Sequence, residues 1–488
     1  MIGLLLAGAG TPALASAPGV SLRPPRGRGP VVPPSAEALV DKAGLKGDVV
    51  FAVADAHTGQ LLEARGADRS IAPASVTKAI TALYAIDVLG AQHRFATQVI
   101  ATGGVRDGVV RGDLVLVGGC DPTMDTRALA DLATQVKDAG IREVRGQFLV
   151  HEGQVVSVPS IDPEQPDHVG YSPAVAGIAL NFNRVHFEWK REGGSYAVTM
   201  DARAGRYRPE VDVARMKVAQ RRAPIYSYTD TGSRDDWTVA SGALGREGAR
   251  WLPVRKPGLY AGDVFATLAR SHGIVLKPAR LTEALPSGDE VARIQSDPLH
   301  EIMRAMLKYS NNLIAEMVGL AATHARVGRV GSLAASAAEM NRWAVAALGM
   351  RAPGFADHSG LGSASRVTAE DMVRGLSAAG REDVLRPLLK PVKLLDAQGR
   401  LINDHPVAAD AKTGTLNFVS GLGGYITAPR GRDLVFAVFA ADEATRATIT
   451  REARERPPGG RSYATRARRL QRQLIMRWGA AFDDEGQG

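Results

Sequence analysis

The alternation of apolar and polar positions changes character along the chain. Asp48 to Val53 and Gln60 to Glu63 are short strand-like runs joined by His57-Thr58-Gly59, which predicts two strands around a turn. From Ser75 to Leu83 the apolar spacing becomes helical, directly after Ile71-Ala72-Pro73-Ala74. Residues 95–165 alternate strand-like runs, such as Asp113 to Val117, with one helix over Thr126 to Ala139. Short β-like pieces rich in Arg, Gly and Asp fill 190–260. Helical spacing returns at 299–307, 312–322 and 332–348. Ser420 to Thr427 and Asp433 to Ala440 then predict a hairpin turning through Ala428-Pro429-Arg430-Gly431-Arg432. Leu470, Leu474 and Trp478 recur every four residues, so the arginine-rich stretch from Arg451 to Arg477 reads as one amphipathic helix with a solvated face. The pattern is a helix–sheet unit at both ends of the chain, with a β-rich insertion between them.

The extremities read differently. Leu4 to Ala7 followed by Ala13-Leu14-Ala15-Ser16-Ala17 is a short apolar stretch with a small-residue cleavage pattern, a signal peptide over 1–17. Its positive flank is missing, so the reading puts the true start upstream of Met1; an apolar tail is the alternative. Residues 18–34 form a Pro/Gly/Arg linker, folding is expected to begin near Ser35, and 481–488 read as a disordered tail.

Composition narrows the class. With 45 % hydrophobic and 23 % charged residues among 488, the chain is an ordinary globular protein. No stretch of about 18 apolar residues occurs, which excludes a polytopic membrane protein. A single cysteine, Cys120, excludes an intramolecular disulfide framework and multi-cysteine metal sites. The 60 basic against 51 acidic residues leave +9, a balance that suits any polyanion, nucleic acid or cell wall alike.

His-Glu-x-x-His, Gly-x-Ser-x-Gly and phosphate-loop motifs are absent, so no cofactor or metal is expected. What occurs is Ser75-Val76-Thr77-Lys78. A serine hydroxyl needs a neighbour to take its proton, and a spacing of three puts both side chains on one helix face. Lysine serves as that base only if desolvation or a nearby cation lowers its pKa from about 10.4. Alone the motif is weak: chance supplies roughly 0.6 copies (24 × 12 / 488), and a helix cap would explain Ser75 equally well. Lys412-Thr413-Gly414-Thr415 is rarer, and offers an ammonium and hydroxyls to a carboxylate beside a glycine that lets substrate backbone lie close. Between them Ser310-Asn311-Asn312 precedes a helix, where an N-cap is the plain alternative.

In the order Ser-x-x-Lys, Ser-x-Asn, Lys-Thr-Gly, these motifs resemble the active-site set of penicillin-recognising serine enzymes. Ala72 to Lys78, Gly118-Gly119-Cys120-Asp121-Pro122-Thr123 and Asp357-His358-Ser359-Gly360-Leu361 are similar, more narrowly, to low-molecular-mass class C penicillin-binding proteins. Those are D-alanyl-D-alanine carboxypeptidases and endopeptidases. The resemblance implies an α/β (α+β) fold: a β-lactamase-like domain with an antiparallel sheet flanked by helices, and β-rich domains inserted between the first and second motifs. The catalytic domain would be split over 35–94 and 297–480, the inserted second domain over 95–165 and 262–296, and the third would be 166–261.

The resemblance also implies roles. Ser75 would attack the carbonyl of the penultimate D-alanine and Lys78 would take its proton. Ser310, helped by Lys412, would pass a proton to the leaving D-alanine, and Asn312 would hold the acyl amide and steady Lys78. Thr413 and Thr415 would bind the terminal carboxylate beside Gly414, while backbone N–H groups of Ser75 and Thr415 form an oxyanion hole. Peptidoglycan stem peptides and β-lactams are the expected partners, nucleic acid is not, and the location is the periplasm or extracytoplasmic envelope. Peripheral membrane contact and oligomeric state stay open. Cys120 stands where the family usually has glycine, and His151-Glu152 stands where an acidic residue often meets the substrate's amino group. Asn181, Asn183 and Arg184, like Asp357, Ser359 and Gly360, read as structural. Two alternatives remain: a β-lactamase or esterase of the same superfamily, and a non-catalytic penicillin-sensing or wall-binding protein.

Overall fold

The computed structural model describes residues 34–380, 383–396 and 398–483. The stretch expected to be a signal peptide and all but the last residue of the expected linker lie outside the described residues, as do 484–488.

The catalytic half is built on a six-stranded antiparallel sheet. Its order is Lys390–Pro391, Ala408–Leu416, Val419–Thr427, Asp433–Ala441, Asp48–Asp55 and Leu61–Arg65. The first long strand therefore lies beside the last, with Asp48 opposite Ala441. Alternation along Asp433–Ala441 serves two cores at once, since successive side chains point to opposite faces. Val435, Ala437 and Phe439 face the helices Thr77–Leu89, Leu299–Tyr309 and Ala369–Gly380. Leu434, Phe436, Val438 and Ala440 face the helices Ala36–Ala43 and Gly460–Ala481. Buried on both faces, this strand reads as a continuous apolar run.

The insertion between the catalytic halves carries a five-stranded sheet, in the order Arg280–Leu281, Phe148–His151, Leu114–Val117, Ala96–Ala101, Asp289–Gln295, and three small three-stranded sheets. A division at 261/262 falls inside the helix Pro257–Ser271, which packs against Thr126–Asp138. One apolar cluster runs from Leu116 and Phe148 through Phe187 to Trp237 and Val239, so both inserted parts share a core. A smaller cluster fastens the insertion to the catalytic half: Val155, Ile161 and Val175 pack on Leu313, Met317 and Leu361.

One element departs from the periodic reading. The C-terminal helix begins at Gly460 rather than near Arg451, because Pro457, Pro458 and Gly459 (φ +81°) interrupt it. Residues 451–456 form turns after the short helix Glu443–Ala447. The helix ends at Ala481, inside the stretch expected to be a disordered tail. Among the described residues no helix is long and apolar enough to cross a membrane, and no group of three or more His, Cys, Asp or Glu is placed to hold a metal ion.

Candidate active site

Ser75 lies in a single 3-10 turn, Ala74–Val76, feeding the helix Thr77–Leu89. Ala74 has φ +48°, an uncommon conformation for a residue with a Cβ, and two glycines hold the turn from either side. A Cβ on Gly414 would stand 2.7 Å from the Pro73 carbonyl oxygen and 3.1 Å from the Ser75 nitrogen. A Cβ on Gly360 would stand 1.9 Å from the Ala74 carbonyl oxygen. The strand Ala408–Leu416 and the loop at Gly360 can therefore close on the turn only where side chains are missing.

One helical turn beyond, Lys78 is fully buried. Its Nζ lies 2.9 Å from Ser75 Oγ, 2.7 Å from Asn312 Oδ1 and 2.6 Å from the Ser359 carbonyl. The last two are acceptors only, so they take two N–H bonds of a neutral amine and leave its lone pair toward the serine hydroxyl. Burial drives the Lys78 pKa down to about 8, while Asp357 and Glu316 pull it back up.

The Ser-x-Asn segment divides its labour. Ser310 ends the helix Leu299–Tyr309 in a left-handed conformation (φ +55°). Asn311 caps the next helix, its side chain accepting from the Ile314 N–H, so the capping duty falls on the middle residue. Ser310 and Asn312 are thereby free to face the cleft. Asn312 Nδ2 donates to the Tyr171 carbonyl at 2.9 Å. Lys412, almost wholly buried, donates to Ser310 Oγ at 3.0 Å, and burial holds its amine well below the usual range, with Lys78 as a further cause.

All eight residues singled out by the motifs thus meet around one cleft of about 540 Å³. Ser75, Ser310, Asn312, Thr413 and Thr415 line it; Lys78, Lys412 and Gly414 lie beneath its surface. Other motif-borne residues stand elsewhere. Glu152 accepts from the Gly258 N–H at the start of a helix and from Ser157 Oγ. Asn181 and Asn183 secure Thr126 and Leu180 within a left-handed turn, and Arg184 lies over the Phe182 and Trp251 rings. Cys120 has φ +64°, a conformation glycine takes freely.

Two features escaped the sequence reading. Glu316, buried one turn past Asn312, accepts from the backbone N–H groups of His358 and Ser359. Burial raises its pKa, with nearby Asp357 adding to the rise. A lone acid inside Leu313-Ile314-Ala315-Glu316-Met317 was the available signal. Tyr171, from the insertion, reaches the cleft without any motif to mark it.

The sequence pattern of the D-Ala-D-Ala carboxypeptidase 3 (S13) family matches residues 35–456. The chain belongs to this family. Like the family, it is a serine peptidase of the class C penicillin-binding kind, a hydrolase. A D-alanyl-D-alanine carboxypeptidase of Actinomadura sp. is 29 % identical over 471 residues, covering 88 % of this chain and 83 % of that relative. The D-alanyl-D-alanine carboxypeptidase of Haemophilus influenzae is 24 % identical over 425 residues, covering 82 % of this chain and 87 % of its own. The crystal structure of penicillin binding protein 4 from Haemophilus influenzae shares the fold, with a TM-score of 0.73 at 20 % identity over 91 % of this chain and 99 % of that one.

Proposed function

We propose that Ser75 is the nucleophile and neutral Lys78 the base of D-alanyl-D-alanine cleavage on peptidoglycan stem peptides. The Ser75 proton passes to the Lys78 lone pair as Oγ bonds to the carbonyl carbon of the penultimate D-alanine. The oxyanion meets the backbone N–H groups of Ser75 and Thr415, and Asn312 holds the acyl amide. Terminal carboxylate binding falls to Thr413 and Thr415 beside Lys412. Collapse breaks the peptide bond, and a proton relayed through Ser310 and Lys412 lets D-alanine leave as an amine. Water then attacks the acyl-enzyme, Lys78 accepting its proton, and frees the shortened peptide and Ser75.

In a β-lactam the departing nitrogen stays tethered to the acyl group, so the same first step yields a persistent adduct and inhibition. Where the leaving amine belongs to a cross-linked neighbouring peptide, the chemistry is that of an endopeptidase. The substrate class sets the protein to work outside the cytoplasm, in the periplasm or envelope. The observation that carries this reading is the Lys78 contact set, two acceptor-only oxygens and one hydroxyl.

Incubation with a mixture of muropeptide monomers and dimers tests it, with release of D-alanine and loss of dimers followed separately. The enzyme should release D-alanine, and Ser75→Ala should lose both that activity and the covalent penicillin adduct seen by intact-mass measurement. Persistent adduct formation would place the nucleophile elsewhere. Rapid release of hydrolysed penicillin with untouched muropeptides would instead favour a β-lactamase.

A further inference from the structure

A second cavity, of about 670 Å³, adjoins the catalytic cleft at Tyr171, Ser310 and Asn312, which line both. Neither the Ser75 turn nor the Lys-Thr-Gly strand contributes to its lining. Its walls come from the end of the helix Leu299–Tyr309, the start of the helix Asn312–Val327 and the insertion. Pro173, Phe182, Leu313 and Ile314 make it largely apolar, and Tyr309, 72 % exposed, stands at its rim.

One charged side chain lines this apolar space, Arg184, and no described Asp or Glu does. The Arg184 guanidinium is held by stacking, its carbon 5.4 Å from the centre of the Phe182 ring and 5.8 Å from that of Trp251. Its Nε is buried and has no hydrogen-bond partner among the described residues. Burial holds the guanidinium below its usual range, with no described carboxylate opposing the fall. Lys308 adds positive charge beside the rim, its Nζ 5.3 Å from the centre of the Tyr309 ring. An apolar chamber whose one charge is a desolvated cation fits a ligand with an apolar body and an anionic end.

We propose that this cavity receives the side chain of the departing D-residue, and that Arg184 selects a long side chain ending in a carboxylate over the methyl of D-alanine. The proposal rests on the function assigned above. There the amine of the departing residue collects its proton at Ser310, and the carboxylate is held by Thr413 and Thr415. Two substituents of the α-carbon are thereby fixed, one at Ser310 and one on the strand. The side chain is the third, and Ser310 is where the two spaces join. A methyl group stays within the cleft, whereas a longer chain passes Ser310 and is buried against Phe182, Leu313 and Ile314. A carboxylate at its end meets Arg184 in a setting of low dielectric, where paired charge-assisted N–H bonds are strong. A neighbouring peptide joined by a cross-link departs with a long arm; free D-alanine departs with a methyl. Arg184 is then a specificity residue as well as a structural one.

The test uses synthetic peptides with identical acyl arms, ending in D-alanine followed by a varied D-residue. That residue is alanine, norleucine, 2-aminoadipate, the side-chain amide of 2-aminoadipate, or lysine. For the unaltered enzyme, kcat/KM should be roughly tenfold higher for D-norleucine than for D-alanine, from the methylenes buried. At low ionic strength the 2-aminoadipate peptide should exceed its amide by roughly tenfold, with D-lysine the poorest of the long side chains. Arg184→Gln should bring the acid-to-amide ratio to within about twofold while the norleucine advantage stays, with penicillin acylation of Ser75 as the check on fold. Tyr309→Ala, at an exposed position, should instead shrink the norleucine advantage by about threefold, which keeps the test decisive should Arg184→Gln fail to fold. Equal kcat/KM for the D-alanine and D-norleucine peptides in the unaltered enzyme overturns the proposal. So does an acid no better than its amide, or an acid preference that survives Arg184→Gln. No cleavage of any peptide together with no penicillin adduct would instead remove the underlying function, a separate and recognisable result.

Discussion

Replacing Glu316 by glutamine removes a buried carboxyl that, when ionised, favours the ammonium form of Lys78. Burial sets the Lys78 pKa at about 8, and Glu316 is one of two carboxylates holding it that high. Opposite charges within about 4–6 Å move a pKa by about 1–3 units. Glu316 is not a hydrogen-bond partner of Nζ, whose three partners are neutral oxygens, so the lower end applies. Losing an attraction for the charged form lowers the pKa, most above pH 8, where Glu316, itself raised by burial to about 8, is ionised. The free-amine fraction then rises where Glu316 is ionised, while each free amine becomes a weaker base. The expected result is an ascending limb of penicillin acylation displaced toward lower pH by at most about one unit, with little change in rate at neutrality. Glutamine keeps one acceptor oxygen where the N–H groups of His358 and Ser359 now find two, so unfolding should cost about 1–3 kcal/mol less. Second-order acylation rates between pH 6 and 10, with intact-mass confirmation of the adduct, measure the limb. A limb that stays put or moves upward would falsify the assignment of Lys78 as the base titrating there.

Lys78→Arg should reduce acylation by more than about a thousandfold, because a guanidinium stays protonated; activity within tenfold of the parent would remove the base role. Gly360→Ala forces a Cβ against the Ala74 carbonyl at φ +70°, so slower acylation and a loss of about 1–3 kcal/mol should appear together in rate and denaturation measurements. Asn311→Ala removes only the cap on Ile314, and should cost about 1 kcal/mol in denaturant unfolding while penicillin labelling persists.

Much of the sheet was legible because its strands carry runs with two buried faces, as in Asp433–Ala441, bounded by turn residues. The contact of Ser75 with Lys78 was legible because a spacing of three at a helix start is a local fact. What spacing could not show is what closes over the site. Tyr171 arrives from the insertion, and the Ser359 carbonyl is backbone, invisible to any reading of side chains. Arg454 and Arg461, which line the cleft, were hidden by taking 451–477 as one helix with a solvated face. The break at Pro457-Pro458-Gly459 turns Arg454 and Arg461 toward the cleft instead.

The pairing of Asp48–Asp55 with Asp433–Ala441 has a bearing on biosynthesis. During synthesis the N-terminal strand emerges long before its neighbour exists, and the Lys-Thr-Gly strand comes almost as late. The half carrying Ser75 waits unpaired while the insertion can already gather around its own core. Hydrolytic competence therefore arrives only with the end of the chain, and a nascent or truncated product is silent toward the wall it is made to cut.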